Sequence, residues 1–327
     1  MKLAVGLTPL ETRRDVVLHV ADRAEALGYD AFFVAEGWGH DASVLLAEVA
    51  LRTSRIQIGT GVLNIWGRSP AQIAMLAATL QEISGGRFVL GLGAGSPALA
   101  EGLHDIAFRA PVARLAAVTR QVRALLQGGR MSPAGGGRGL RLALGPSHIP
   151  IMLAALGPAA IRVAGALSDS WGPFFLPVSA LPDGIRLLRD AATGRTAPAV
   201  CPAIPAAVSP DPERAAALAS WWIDFYLTKM GPLYANRLRQ LGLGLAVDQV
   251  LSGADGTPDR LRDELTLCGD GSARAGIDRW YAAGADRPAI TLPPDCSVEE
   301  LDYMLEAFAP LAAPVRNDRA QPVPAPR

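Results

Sequence analysis

The residues able to do chemistry stand in four short clusters, each at or inside an apolar run. Glu36-Gly37-Trp38-Gly39-His40-Asp41 follows the run Asp30–Ala35. A carboxylate that ends an apolar strand is costly unless paired or used, so Glu36 is the leading titratable candidate. His40 is a candidate proton donor because imidazole titrates near neutrality; a solvated loop histidine is the commoner case. Gly91-Leu92-Gly93-Ala94-Gly95-Ser96 follows a second run. A dinucleotide fingerprint needs glycine at its sixth position, and Ser96 stands there. Two readings stay open: a tight strand exit that needs small residues, or a backbone approached by a flat ring or a phosphate. Gly157-Pro158 opens a helix, where proline costs no hydrogen bond and the next free amides form an anion-binding end. Ile58-Gly59-Thr60-Gly61-Val62 puts two glycines inside a strand, the mark of a bulge, with or without a ligand beside it.

Other chemistries are excluded by what is missing. No His, Asp, Glu or Cys spacing resembles a metal site, and no Gly-x-Ser-x-Gly elbow supports an esterase. Among 31 basic residues only Lys2 and Lys229 are lysines, which disfavours a Schiff base. His19 and His148 read as structural or solvated, and His104 lies in a loop. The formal net charge is zero, so no basic field exists to hold a nucleic acid. Cys201, Cys268 and Cys296 are odd in number and far apart, which fits a reducing compartment. The opening Met1–Asp15 carries an apolar run too short for a signal peptide, and no stretch reaches membrane length. The expectation is a cytoplasmic, soluble protein.

The elements that must position these clusters alternate. Strands are read at Leu3–Thr8, Asp30–Ala35, Ile56–Leu63, Arg87–Leu92, Ile149–Ala154, Ser170–Leu176, Ala199–Val208 and Ala289–Leu292, each followed by a helix. The runs are short and continuously apolar, the signature of parallel strands buried on both faces. Eight such units in 327 residues, half of them hydrophobic, point to an α/β fold, the (β/α)8 TIM barrel, whose active site lies at the C-terminal strand ends. Thr8, Glu36, Asn64, Ser96, Gly157, Pro173 and Phe174 fall there. Within one domain over 1–311, a mobile loop is expected at 128–147 and an insertion at about 212–257. A long helical region is read over Pro212–Leu241 and further helices over Pro258–Leu267 and Ser272–Ala283. A disordered tail is expected at 312–327.

At these residues the sequence resembles the luciferase-like monooxygenase superfamily, in particular its coenzyme F420-dependent reductases and dehydrogenases. Tyr29–Asp41, Arg55–Pro70, Thr79–Ser96 and Pro150–Trp171 carry the resemblance, with Gly284–Pro294 closing it and Ser84-Gly85-Gly86-Arg87-Phe88 especially characteristic. The resemblance implies a cofactor ring over the strand ends, backed by a bulge with a non-prolyl cis peptide at Gly61–Val62. Asn64 would contact the ring, Ala94, Gly95 and Ser96 would line it, and Ala155, Leu156, Gly157 and Pro158 would hold the phosphate. Members commonly carry Asp-His after the second strand; Glu36-Gly37 stands here, so Glu36 would act in the cofactor pocket and His40 is the candidate substitute donor. Sugar-phosphate-oxidising members use lysines that are nearly absent here. The implied reaction is hydride transfer between coenzyme F420 and a small organic substrate, reducing an activated C=C, C=N or C=O bond or oxidising an alcohol. The alternatives are an FMN-dependent monooxygenase and a non-catalytic ligand-binding barrel. The resemblance also implies a homodimer through alanine-rich faces at Ala42–Leu51 and Ala74–Ala78.

Overall fold

The computed structural model describes residues 1–131, 135–253, 256–271 and 274–309. The tail expected at 312–327 and residues 132–134 of the loop expected at 128–147 lie outside the described residues. The first half alternates strand and helix: β1 (Ala4–Leu7), α1 (Arg14–Ala26), β2 (Ala31–Val34), α2 (Ala42–Arg52), β3 (Gln57–Thr60), β4 (Leu63–Asn64), α3 (Pro70–Ile83), β5 (Phe88–Gly93) and α4 (Pro111–Leu126). Then come β6 (Ile151–Ala154), α5 (Pro158–Leu167), β7 (Ser170–Trp171), α6 (Leu181–Ala191), β8 (Ala199–Val200) and β9 (Ala203–Val208). The chain continues through α7 (Pro212–Thr228), α8 (Pro232–Leu238), α9 (Gly244–Leu251), α10 (Asp259–Leu265), β10 (Leu267–Gly269), α11 (Arg274–Ala282), β11 (Ala289–Leu292) and α12 (Val298–Phe308).

Every strand pairing is parallel. β1 lies between β11 and β2, and the order runs on through β3, β5, β6 and β7 to β8. β8 and β9 are one strand stepped at Pro202: the Cys201 amide donates to the Trp171 carbonyl, and the Pro202 carbonyl accepts from Ala289 on β11. That step closes the ring into the expected eight-stranded barrel. The barrel axis is filled by small residues, Ala4, Ala31, Val89, Cys201 and Ala289, around Phe33 and Met152. The large aliphatic side chains lie between sheet and helices, where Ile58, Leu63, Ile73, Leu90 and Leu92 are fully buried; each contributes about 1.5–3 kcal/mol relative to exposure.

Local signals explain several boundaries. Ser69 caps α3 and Gln72 returns the bond, a complete capping box with Pro70 in the first turn. Gly28 ends α1 at φ 81. The long helix expected over Pro212–Leu241 is corrected: it breaks after Thr228, because Gly231 adopts φ 76 and Pro232 restarts a helix. Strand β10, which pairs Leu267–Gly269 with Ala206–Val208, has no counterpart among the expected strands. Three residues are too few to show a period.

The third strand departs from the expected continuous run. β3 pairs Gly59 with Val89, while β4 resumes with Leu63 opposite Leu92. Four steps on one strand face three on the other, so the first carries one extra residue, a β-bulge. The bond Gly61–Val62 within it is cis, as the resemblance implied. Thr60 replaces the missing ladder bonds: its hydroxyl donates to the Gly91 carbonyl and accepts from the Gly91 amide, both at 2.8 Å. Replacing Thr60, which is fully buried, by valine keeps the shape and strands both Gly91 groups. Thr60→Val should lose about 1–3 kcal/mol in urea unfolding; an unchanged midpoint would show that the bulge does not depend on the hydroxyl.

Candidate active site

Because all strands run the same way, their C-terminal ends share one mouth, and Thr8, Glu36, Asn64, Ser96, Gly157, Pro173 and Phe174 stand on that side. The floor is Phe33, whose ring lies under the bulge: a Cβ on Gly59 would sit 2.7 Å from Phe33 Cε1. Above it Gly61 is exposed and Val62 half-buried. The neighbouring strand must be bare to allow this. A Cβ on Gly91 would come within 1.9 Å of the Thr60 carbonyl oxygen, and one on Gly93 within 2.6 Å of Val62 Cγ2. The glycine run of β5 is therefore required by the bulge opposite it. Beyond it Ala94 and Ser96 are half-buried and Gly95 is exposed at φ 63.

Asn64 holds the next turn. Its Oδ1 accepts from the Trp66 and Gly67 amides, both at 2.9 Å, and its Nδ2 lies 3.3 Å from His104 Nε2. The amide group donates there, so His104 carries its proton on Nδ1. Trp66 locks the turn to the fourth strand by donating to the Ala94 carbonyl at 2.6 Å. Arg114 stacks on the other face of the indole, 4.5 Å from its centroid.

Across the mouth, Gly157 is extended and caps α5 without a side chain. The first helical bond runs from the Ile161 amide to Gly157, so the Ala159 and Ala160 amides have no acceptor within the helix. Ala155 is buried; Leu156 and Gly157 are half-buried and Pro158 is exposed. An uncapped helix end facing small residues suits an anionic oxygen.

Glu36 is nearly buried, with its side chain 7% exposed. It accepts a two-pronged ion pair from Arg68 and a bond from the Ala42 amide at the start of α2. Arg68 also reaches Asp41 at 2.6 Å. The sequence named Glu36 but not Arg68, which lies 32 residues further on. His40 is exposed and donates from Nε2 to the Thr12 carbonyl at 2.9 Å, tying the second strand's loop to the first's. From that loop Arg13 pairs with buried Glu11 and reaches the Cys296 carbonyl after β11. Four strand exits are thus linked by one polar belt. Among the described residues no cluster of His, Cys, Asp and Glu could hold a metal ion, and no helix is long and apolar enough to cross a membrane.

The belt makes the rim sensitive to acid. Burial pushes the Asp41 carboxyl up, but Ser43 and Arg68 outweigh it and hold it below its usual range. A carboxyl depressed on folding stabilises the native state fully above its unfolded value near 4 and loses that as pH falls through the folded value. Asp41→Asn should therefore flatten part of the acid limb of stability below about pH 4. Arg68→Met, which strands nearly buried Glu36, should cost about 3 kcal/mol at neutral pH. Equal neutral-pH unfolding midpoints for Arg68→Met and wild type would show that the pair does not hold the rim.

The luciferase-like monooxygenase family model matches residues 4–287. A Mycobacterium tuberculosis protein provisionally named a coenzyme F420-dependent oxidoreductase, Rv3520c, is 33% identical over 313 residues, covering 82% of this chain and 88% of that protein. In structure the chain is similar to an F420-dependent secondary alcohol dehydrogenase in complex with an F420–acetone adduct, with TM-score 0.76 and 19% identity over 94% of this chain and 99% of that one. It is also similar to the oxygenating constituent of the 3,6-diketocamphane monooxygenase of Pseudomonas putida, in complex with FMN, with TM-score 0.71 and 17% identity over 95% of this chain and 99% of that one. At such identities the two structures show the shared fold alone. With the family match over most of its length, the chain belongs to the luciferase-like monooxygenase family.

Proposed function

We propose that this chain is a coenzyme F420-dependent oxidoreductase that moves a hydride between the deazaflavin and a small organic substrate. The observation that carries the choice of cofactor is the match to the Mycobacterium tuberculosis relative across 82% of the chain. The site's shape supports a flat ring with a phosphate: a bare bulge at Gly61–Val62, a small-residue exit at Ala94–Ser96 and an uncapped helix end at Gly157. The deazaflavin supplies a carbon that carries hydride rather than single electrons. The chain's residues bind and orient. Gly61 and Val62 back the ring, with Asn64 fixed beside it. The Ala159 and Ala160 amides face the phosphate. Glu36, with its oxygens engaged by Arg68 and Ala42, holds the rim in place. His104, bonded to Asn64, stands beside the bulge, whereas His40 is tied to the Thr12 carbonyl.

The test is a titration of purified protein with F420 and, separately, FMN, followed by quenching of cofactor fluorescence. Saturable micromolar binding of F420 and much weaker binding of FMN is the expected result. Tighter FMN binding with oxygen consumption on reduction would overturn the reading in favour of a monooxygenase. Binding without turnover of any carbonyl or alcohol panel would favour a binding protein.

We infer, further, that two copies pair through α2 and α3, by their outer apolar side chains rather than by the expected alanine-rich faces, since Ala42, Ala50, Ala74, Ala77 and Ala78 are buried within the fold. Val44 and Leu51 on α2 are 69% and 78% exposed, and Met75 and Ile83 on α3 are 55% and 38% exposed. An apolar patch of this kind on one surface marks an interaction site. Light scattering should give twice the 34.2 kDa of one chain, and Val44→Glu with Leu51→Glu should halve it. A wild-type mass of one chain at micromolar concentration would refute pairing.

A further inference from the structure

The segment between β9 and α11 builds a second core over one side of the mouth. Trp222, Tyr226, Ala235, Leu238, Val247 and Leu261 pack together away from the barrel core. Two bonds fix where this lobe sits. Arg214 at the start of α7 pairs with Glu300 at the start of α12, beyond the exit of β11. Further along α7, Tyr226 packs on Phe174 and Phe175, beyond the exit of β7. Helix α7 therefore crosses the rim over the seventh strand, with the Trp222 indole donating to the Ala206 carbonyl at 2.9 Å.

Phe174 is the junction between lobe and mouth. It bridges Ala203 in parallel register, and Ala203 packs with the residues that fill the barrel axis. Phe175 adopts φ 58, which turns two consecutive rings onto the same aromatic neighbours. Phe174 lies 4.8 Å from the Tyr226 ring, and Tyr226 lies 5.2 Å edge-on from Tyr234. Phe174 and Tyr234 are half-exposed.

The two phenols are unexplained by packing. Among the described residues neither the Tyr226 nor the Tyr234 hydroxyl has a hydrogen-bond partner, and the side-chain atoms sealed from solvent without one are Arg23 Nε and Arg237 Nε. Neither phenol oxygen is among these sealed atoms, so each keeps some contact with solvent. Phenylalanine would fill the same space, so the packing does not call for the hydroxyls. Burial raises both hydroxyls above the usual phenol range, so each stays a neutral donor at neutral pH.

We propose that this aromatic patch is the substrate subsite, and that it takes a planar aromatic molecule bearing a carbonyl oxygen. The rings supply stacking and edge contacts, and the phenols supply donors for the oxygen. The placement beside the mouth rests on the oxidoreductase reading above; the ligand preference does not.

The experiment is equilibrium dialysis of the full chain, without added cofactor, against acetonaphthone and against ethylnaphthalene, which lacks the carbonyl. Wild type should bind the ketone about tenfold more tightly, a preference worth about 1.4 kcal/mol. Tyr226→Phe with Tyr234→Phe, which preserves shape, should remove the preference and leave ethylnaphthalene binding unchanged. Each single variant, checked for native circular dichroism, should lose part of it. No preference in wild type, or full preference in the double variant, would overturn the proposal. If the ketone preference holds while F420 fails to bind, the oxidoreductase reading falls and the ligand class stands.

Discussion

One hydroxyl governs the geometry of the mouth. With one residue too many, the third strand cannot keep its ladder to β5, and Thr60 restores both lost bonds to Gly91. The bulge displaces everything after it. Val62 faces the mouth, and Asn64 begins a tight turn closed by its own side chain. Trp66 falls where its indole reaches Ala94. The same displacement brings the Thr60 and Val62 side of the strand against β5 so closely that Gly91 and Gly93 have no room for a Cβ. Floor, glycine run and asparagine turn are parts of one packing problem.

The barrel was legible in the sequence because parallel strands buried on both faces leave continuous apolar runs, and eight of them stand between helical patterns. The cap at Ser69 was legible for the same reason: its residue types act within four positions. What escaped was long-range or short. The partner of Glu36 is Arg68, and that of Asn64 is His104, 40 residues on; neither pairing exists until the strand exits are brought together. Thr60 reads as an ordinary β-branched strand residue, since only the opposing strand shows that its hydroxyl replaces a ladder bond. The break between α7 and α8 did carry a signal, Gly231-Pro232, overridden by the apolar period on both sides. Tyr226 and Tyr234 read as helix interior, because a missing hydrogen-bond partner is a property of space.

The rim shows how such a barrel can tie its loops together through side chains and backbone, with its three cysteines free. Arg13, His40 and Arg68 each tie one strand exit to another, two through carbonyls and one through a carboxylate. Two tryptophans brace the wall from outside: Trp171 donates to the Ala155 carbonyl beside the α5 end, with its ring against Gly184 on α6, and Trp222 does the same for β9. Each bond joins a rigid element to the backbone that frames the mouth, so the site's edges inherit the stiffness of the core.

That the lobe has a core of its own divides the burden of descent between two parts of the chain. A substitution in the barrel disturbs the bulge, the glycine run or the brace beneath them, and selection meets it as lost folding. A substitution at Leu238, Val247 or Leu261 falls first on the lobe's own core, whereas one at Trp222 also loosens the bond to β9. The lobe's packing can therefore change without rewriting the bulge, the glycine run or the brace beneath them.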